Sequence, residues 1–435
     1  MKLWETTHAA AAHRLLIVTY RTLPVALLLA LVPLAGCRRP SLPDYPEGYR
    51  EFAYVANSAG NTVTALDLVY LRPDRTLSVG ADPVALAVNP RLNEVYVVNR
   101  QPGQANGTIT VIDTMRNQTV ASVTVHREPS AIAVDATGQR AFVVNTGSNT
   151  VSVLDLDSRR VLDTRPTGNH PGAVAISPDG RTLVVTNLAD GSVTVFGASI
   201  PPAPTRPALG TSMPASPVTS TAPLTLRATF AGCAGATSPV ILPDSSRAFI
   251  ACSTGHQVMG LSLAAAPDSW AARQDASLTT DHPLAMLNVG ESPMHLTLKP
   301  DGGQIFVSNY ASDSISEIST TNAEVGSTYG IGNHPTHGVV SADNSALWVA
   351  TTGADAISLY SIDDGKFLSS LRTGTAPDAL TFSSDPAQTF LLAADTKSGD
   401  VSVIRTSGKL GPSLLTILPA GGTPSAIVTK ISIKQ

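Results

Sequence analysis

One unit recurs through most of this chain and limits what the chain can fold into. The unit contains a short apolar stretch that ends in a small polar residue. Clear copies are Tyr54-Val55-Ala56-Asn57, Tyr96-Val97-Val98-Asn99, Phe142-Val143-Val144-Asn145, Val184-Val185-Thr186-Asn187, Phe249-Ile250-Ala251-Cys252 and Phe306-Val307-Ser308-Asn309. Two degenerate copies follow, Trp348-Val349-Ala350-Thr351 and Leu392-Ala393-Ala394-Asp395. After a turn of Gly, Asn, Asp or Ser, each leads into an alternating stretch such as Thr108-Ile109-Thr110-Val111-Ile112-Asp113. Alternation of period two between turn signals predicts half-buried antiparallel strands.

A proline marks the phase of the repeat, at Pro83, Pro129, Pro171, Pro239, Pro293, Pro335, Pro377 and Pro424. Five of the seven intervals between them fall between 42 and 47 residues. In most copies a glycine stands three residues earlier, as at Gly80, Gly168, Gly290, Gly332, Gly374 and Gly421. The expected roles are a positive-φ turn for glycine and a strand start without an N–H partner for proline. A unit of about 42 residues has the size of one four-stranded propeller blade. The composition agrees: charged residues are 14% and aromatics 5%, with 33 Gly and 32 Pro, which suits short strands and tight turns.

These residues resemble the YVTN-family β-propeller repeat, named for strands such as Tyr96-Val97-Val98-Asn99. The resemblance covers nearly all of residues 51–435 and implies an all-β propeller. The repeat count predicts eight blades, with seven as the alternative. The chain opens on a second strand, Phe52 to Asn57, and closes on Pro424-Ser425-Ala426-Ile427-Val428, which matches a first strand. The C-terminal strand is therefore expected to complete the N-terminal blade and pair the edges that would otherwise stay open. Two insertions interrupt the period, at about 197–223 and about 264–282, and both are expected at the face opposite the Gly-x-x-Pro turns.

The first 36 residues read as a targeting segment and stand outside the fold. Lys2, Arg14 and Arg21 precede the apolar run Leu23 to Leu34, which is short for a membrane span. Leu34-Ala35-Gly36-Cys37 resembles the lipobox of a bacterial lipoprotein signal, which implies cleavage before Cys37 and a lipid on its thiol. The Arg after Cys37 resembles the outer-membrane sorting pattern. Residues 37–50 would form a tether reaching at most ~45 Å. The expected location is the cell envelope, exported and lipid-anchored, on the periplasmic side of the outer membrane or at the cell surface.

Six histidines map to the face of the Gly-x-x-Pro turns. His170 and His334 lie in turns that enter first strands, as does His126, and His256 lies in a second-to-third turn. His295 and His337 lie two residues past Pro293 and Pro335, where other copies have mostly Ala. With Asp82, Glu128 and Asp378 nearby, these residues define a candidate rim for a metal ion, an acidic ligand or a general base. The other reading gives them only local turn and inter-blade contacts. Cys233 and Cys252 fall at the top of one blade. An oxidising compartment allows a disulfide there, worth ~3 kcal/mol in the entropic account; two partly buried free thiols are the alternative.

Three function classes follow. The first is a ligand-binding or interaction scaffold presenting its top to a protein, glycan or small molecule. The second is an enzyme at the propeller mouth, of the lactonase-like hydrolase kind, with His295 and His337 as its residues. The third is a propeller associated with non-covalent haem or redox work, since no Cys-x-x-Cys-His is present. The first is preferred, as a monomer with no cofactor beyond a metal at the rim. A net charge of −4 argues against nucleic acid as a main partner.

Overall fold

The computed structural model describes residues 45–199, 223–265, 273, 275–408 and 411–432. Cys37, the targeting segment, most of the first insertion and part of the second lie outside them. The described chain forms 32 strands in eight four-stranded antiparallel sheets. Each sheet is one blade. The inner strands are β4 (Pro83–Val88), β8 (Pro129–Val134), β12 (Pro171–Ile176), β16 (Ala236–Ile241), β20 (Pro293–Leu298), β24 (Pro335–Val340), β28 (Pro377–Phe382) and β32 (Pro424–Ile431). Each contacts the next, and β32 contacts both β28 and β4, so the ring is closed.

Blade one shows how closure works. β32 pairs with β1 (Glu51–Asn57), which pairs with β2 (Thr62–Asp67), which pairs with β3 (Arg72–Ser78). The first and last described strands thus share one sheet, and pairing with β32 leaves β1 no open edge. Buried Glu51 accepts hydrogen bonds from the Tyr49 hydroxyl (2.7 Å) and from the Ser384 backbone N–H, tying the chain entry to blade eight.

The alternating strands are not half-buried. β6 (Thr108–Asp113) is buried through its four central residues, because each blade is sandwiched between two neighbours. Its polar Thr110 therefore needs a partner. Asn99, at the end of β5 (Glu94–Asn99), supplies one: its amide donates to Thr108 Oγ1 (3.1 Å) and Thr110 Oγ1 (2.9 Å). Asn57, Asn145, Asn187 and Asn309 bond two hydroxyls of their own hairpins in the same way. The recurring asparagine is a clamp on the second-to-third turn of its blade.

This clamp explains the glycines. Gly80, Gly168 and Gly290 do not have positive φ. A Cβ on Gly80 would lie 2.7 Å from Asn99 Cβ, and Gly168 and Gly290 meet Asn187 and Asn309 equally closely. Glycine is required there by contact. The expected positive φ is found at Gly332 (132°) and Gly421 (81°); in most blades it falls also or instead on the residue before the proline, as at Asp82 (52°), Glu128 (50°), His170 (57°), His334 (52°) and Ala376 (57°).

Blade five departs from the expected phase. Ala236 pairs with Cys252 as Pro83 pairs with Asn99, while Pro239 pairs with Ile250 inside the strand. Pro239 is thus not the counterpart of Pro83, and the residue three before Ala236 is Cys233. Cys233 and Cys252 are joined (S–S 2.08 Å, Cα–Cα 4.8 Å). The disulfide occupies the two positions held elsewhere by the touching glycine and asparagine.

Candidate functional site

The rim residues divide into two groups with different jobs. Asp82, Glu128, His170 and His334 occupy the left-handed position before the strand proline. The backbone N–H of His170 donates to Asn149 Oδ1 (2.8 Å), that of His334 to Asp313 Oδ1 (2.8 Å) and that of Asp82 to Asn61 Oδ1 (2.9 Å). Ala376 makes the same bond to Asp355, so the contact needs no particular side chain. The His334 ring stacks on Tyr310 with centroids 4.4 Å apart, and Asp82 faces Arg100 at 3.6 Å. His170 is exposed. These four residues serve the turn that starts each inner strand.

His295 and His337 are brought together. They hold equivalent positions on the neighbouring inner strands β20 and β24, and their rings stack with centroids 4.0 Å apart and an interplanar angle of 29°. Burial holds the His295 imidazole well below its ordinary pKa, and the adjacent His337 adds to this. Burial also lowers His337, with Asp378 opposing. Both rings are therefore neutral at neutral pH.

His295 of the pair borders a cavity of about 480 Å³ between blades six, seven, eight and one. His295 lines it with Thr297, Thr381, Ser384, Gln388 and Thr429. Blades one, two, three, four and eight carry Ala426, Ala85, Ala131, Ala173 and Ala379 at the histidine position, so the imidazoles are confined to blades six and seven. Each neutral imidazole offers one donor and one acceptor, and the hydroxyls offer both. The arrangement suits a ligand rich in oxygen, or activation of a water by a neutral base. Among the described residues, no group of three or more His, Cys, Asp or Glu could hold a metal ion.

Two residues of this site were not anticipated. The Gly338 backbone N–H donates to His295 Nδ1 (3.4 Å), and Thr297 Oγ1 lies 3.3 Å from the same atom. The available signal was a break in pattern. Gly338 falls where six other inner strands have Leu86, Ile132, Val174, Leu296, Leu380 and Ile427.

Fold and site together define an eight-bladed propeller with a polar channel wall. A family profile described as "Lactonase, 7-bladed beta-propeller" matches residues 50–200. That segment ends before β15 (Leu224–Phe230) and contains neither His295 nor His337. No curated protein matches the chain. Among solved structures, the chain is similar to dihydro-heme d1 dehydrogenase NirN in complex with DHE, at 15% identity and TM-score 0.65, covering 91% of this chain and 78% of that one. It is similar to the periplasmic gluconolactonase PpgL of Pseudomonas aeruginosa, at 18% identity and TM-score 0.54, covering 88% and 98%. It is also similar to a putative 6-phosphogluconolactonase of Bacteroides uniformis, at 18% identity and TM-score 0.55, covering 76% and 96%. At these identities the likeness is one of fold.

Proposed function

We propose that this protein is an exported, lipid-anchored propeller that binds a small, oxygen-rich ligand in its central channel. One observation carries the reading: neighbouring inner strands place histidines at equivalent positions, and these stack beside a cavity lined with hydroxyls. Cys37 would bear the lipid and residues 37–50 the tether, with the chain monomeric in the envelope. A concave, largely pre-formed site with a few convergent polar groups is the usual form of a small-molecule pocket.

A second reading, hydrolysis of a lactone in the same channel, is favoured by the lactonase profile over residues 50–200. In that case a neutral histidine would take the proton of the attacking water. Calorimetric titration of the purified protein with sugar lactones, their open acids and short glycans tests binding. The His295→Ala/His337→Ala double variant should bind at least about tenfold more weakly, about 1.4 kcal/mol. Equal affinity in both proteins would remove the channel from the function. Proton release on adding lactone separates turnover from simple binding.

A further inference from the structure

His295 Nδ1 faces two groups able to donate, the Gly338 backbone N–H at 3.4 Å and the Thr297 hydroxyl at 3.3 Å. A backbone N–H can only donate, so Nδ1 must carry a lone pair and the proton of the neutral ring sits on Nε2. Protonating Nδ1 would set one N–H against another and place a charge beside the stacked His337 ring. Among the described residues Nε2 meets no protein partner, and it is not among the side-chain atoms sealed from solvent without one.

The packing around this contact is specific. A Cβ on Gly338 would lie 2.4 Å from Thr297 Oγ1 and 3.5 Å from Leu347 Cδ1. Any larger residue, such as the Leu, Ile or Val of the other strands, would push the hydroxyl off His295. The missing side chain on β24 is what lets Thr297 stand where it does.

We infer that Thr297 and Gly338 are positioning residues that fix His295 as an Nε2–H donor, so that the channel recognises an uncharged ligand through an acceptor oxygen such as a carbonyl or ring ether. The ligand half of this inference rests on the channel reading above. The lining agrees with it: among the described residues lining the cavity there is no Lys or Arg. A phosphate or carboxylate would lose hydration there without gaining a counter-cation. The charged or titratable groups facing the pair are the two histidines themselves and Asp378, and Asp378 acts on His337 rather than His295.

The tautomer can be read on the full, ligand-free protein by nitrogen NMR of labelled histidine, with His295 assigned by its loss in His295→Ala. Wild type and Thr297→Ser should show unprotonated Nδ1 and protonated Nε2 from pH 6 to 8. Thr297→Val, checked for folding by thermal melting, should admit the opposite tautomer. A protonated Nδ1 in wild type, or a Thr297→Val spectrum identical to wild type, would overturn the positioning role whatever the channel binds. The ligand half is tested with glucono-1,5-lactone and glucose 6-phosphate, where the phosphate should weaken binding at least about tenfold. Equal or tighter binding of the phosphate, or binding of neither, would overturn it. Only the last would also count against the channel reading.

Discussion

Asp395 stands where five blades carry the clamping asparagine. It is fully buried; Oδ2 accepts the Ser402 hydroxyl (2.7 Å) and Oδ1 has no partner among the described residues. Burial raises its pKa from 3.8 to about 6, against the hydrogen bonds from Ser402 and Gly374 that lower it. Because the folded value lies above the unfolded one, this group stabilises the fold fully below about pH 4. The contribution is lost as pH rises through about 6. Asp395→Asn should therefore raise stability at pH 8 by about 1–3 kcal/mol and change little at pH 4, measured by denaturant midpoints. Glycine contacts give a second test. Gly168→Ala would drive a Cβ to 2.6–2.7 Å from the Asn187 amide and should cost about 1–3 kcal/mol. Gly172→Ala, with nothing within 4 Å, should be neutral or slightly stabilising in the same melts.

At the scale of the element, a blade is a hairpin stack whose second-to-third turn is held by one polar clamp. Blade five has replaced the clamp with a covalent bond. Removing it as Cys233→Ala/Cys252→Ala should cost about 2–4 kcal/mol. Restoring the ordinary pair as Cys233→Gly/Cys252→Asn should recover little, because Gln257 and Met259 stand where other blades have hydroxyls. The new amide would be buried and unsatisfied. Adding Met259→Thr supplies an acceptor and should recover part of the loss, read as a rise in melting temperature. Much at this scale was legible: strand order, the second-to-third turns and the closing strand follow from the repeat. The phase of blade five was not, because Pro239 looks like a strand start and only pairing with Ile250 shows it to be interior.

For the whole molecule, the ring depends on β32. Register pairs Glu51 with Ile431, so the end of β32 stands beside the start of β1, as at any first-to-second turn. Moving residues 421–432 ahead of β1 through a short linker should give a protein that folds and keeps its channel. It should unfold faster, since the two chain ends no longer lock each other. Deleting residues 424–435 leaves β1 without its inner neighbour and should abolish the cooperative melt, with aggregate on size exclusion. The site is a property of the same scale, because its wall is drawn from blades six, seven, eight and one.

The sequence by itself determined the four-stranded repeat, the second-to-third hairpins and the closing strand, and favoured eight copies over seven, because these rest on local periodicity and turn chemistry. It also singled out His295 and His337 as departures from the repeat. Only the tertiary structure decided which rim residues act through their side chains. His170 and His334 are spent on backbone turns, while His295 and His337 meet across a blade boundary that no pattern within one repeat encodes. The glycines show the same division: their spacing is visible along the chain, but the cause at Gly80, Gly168 and Gly290 is an asparagine that folding brings into contact.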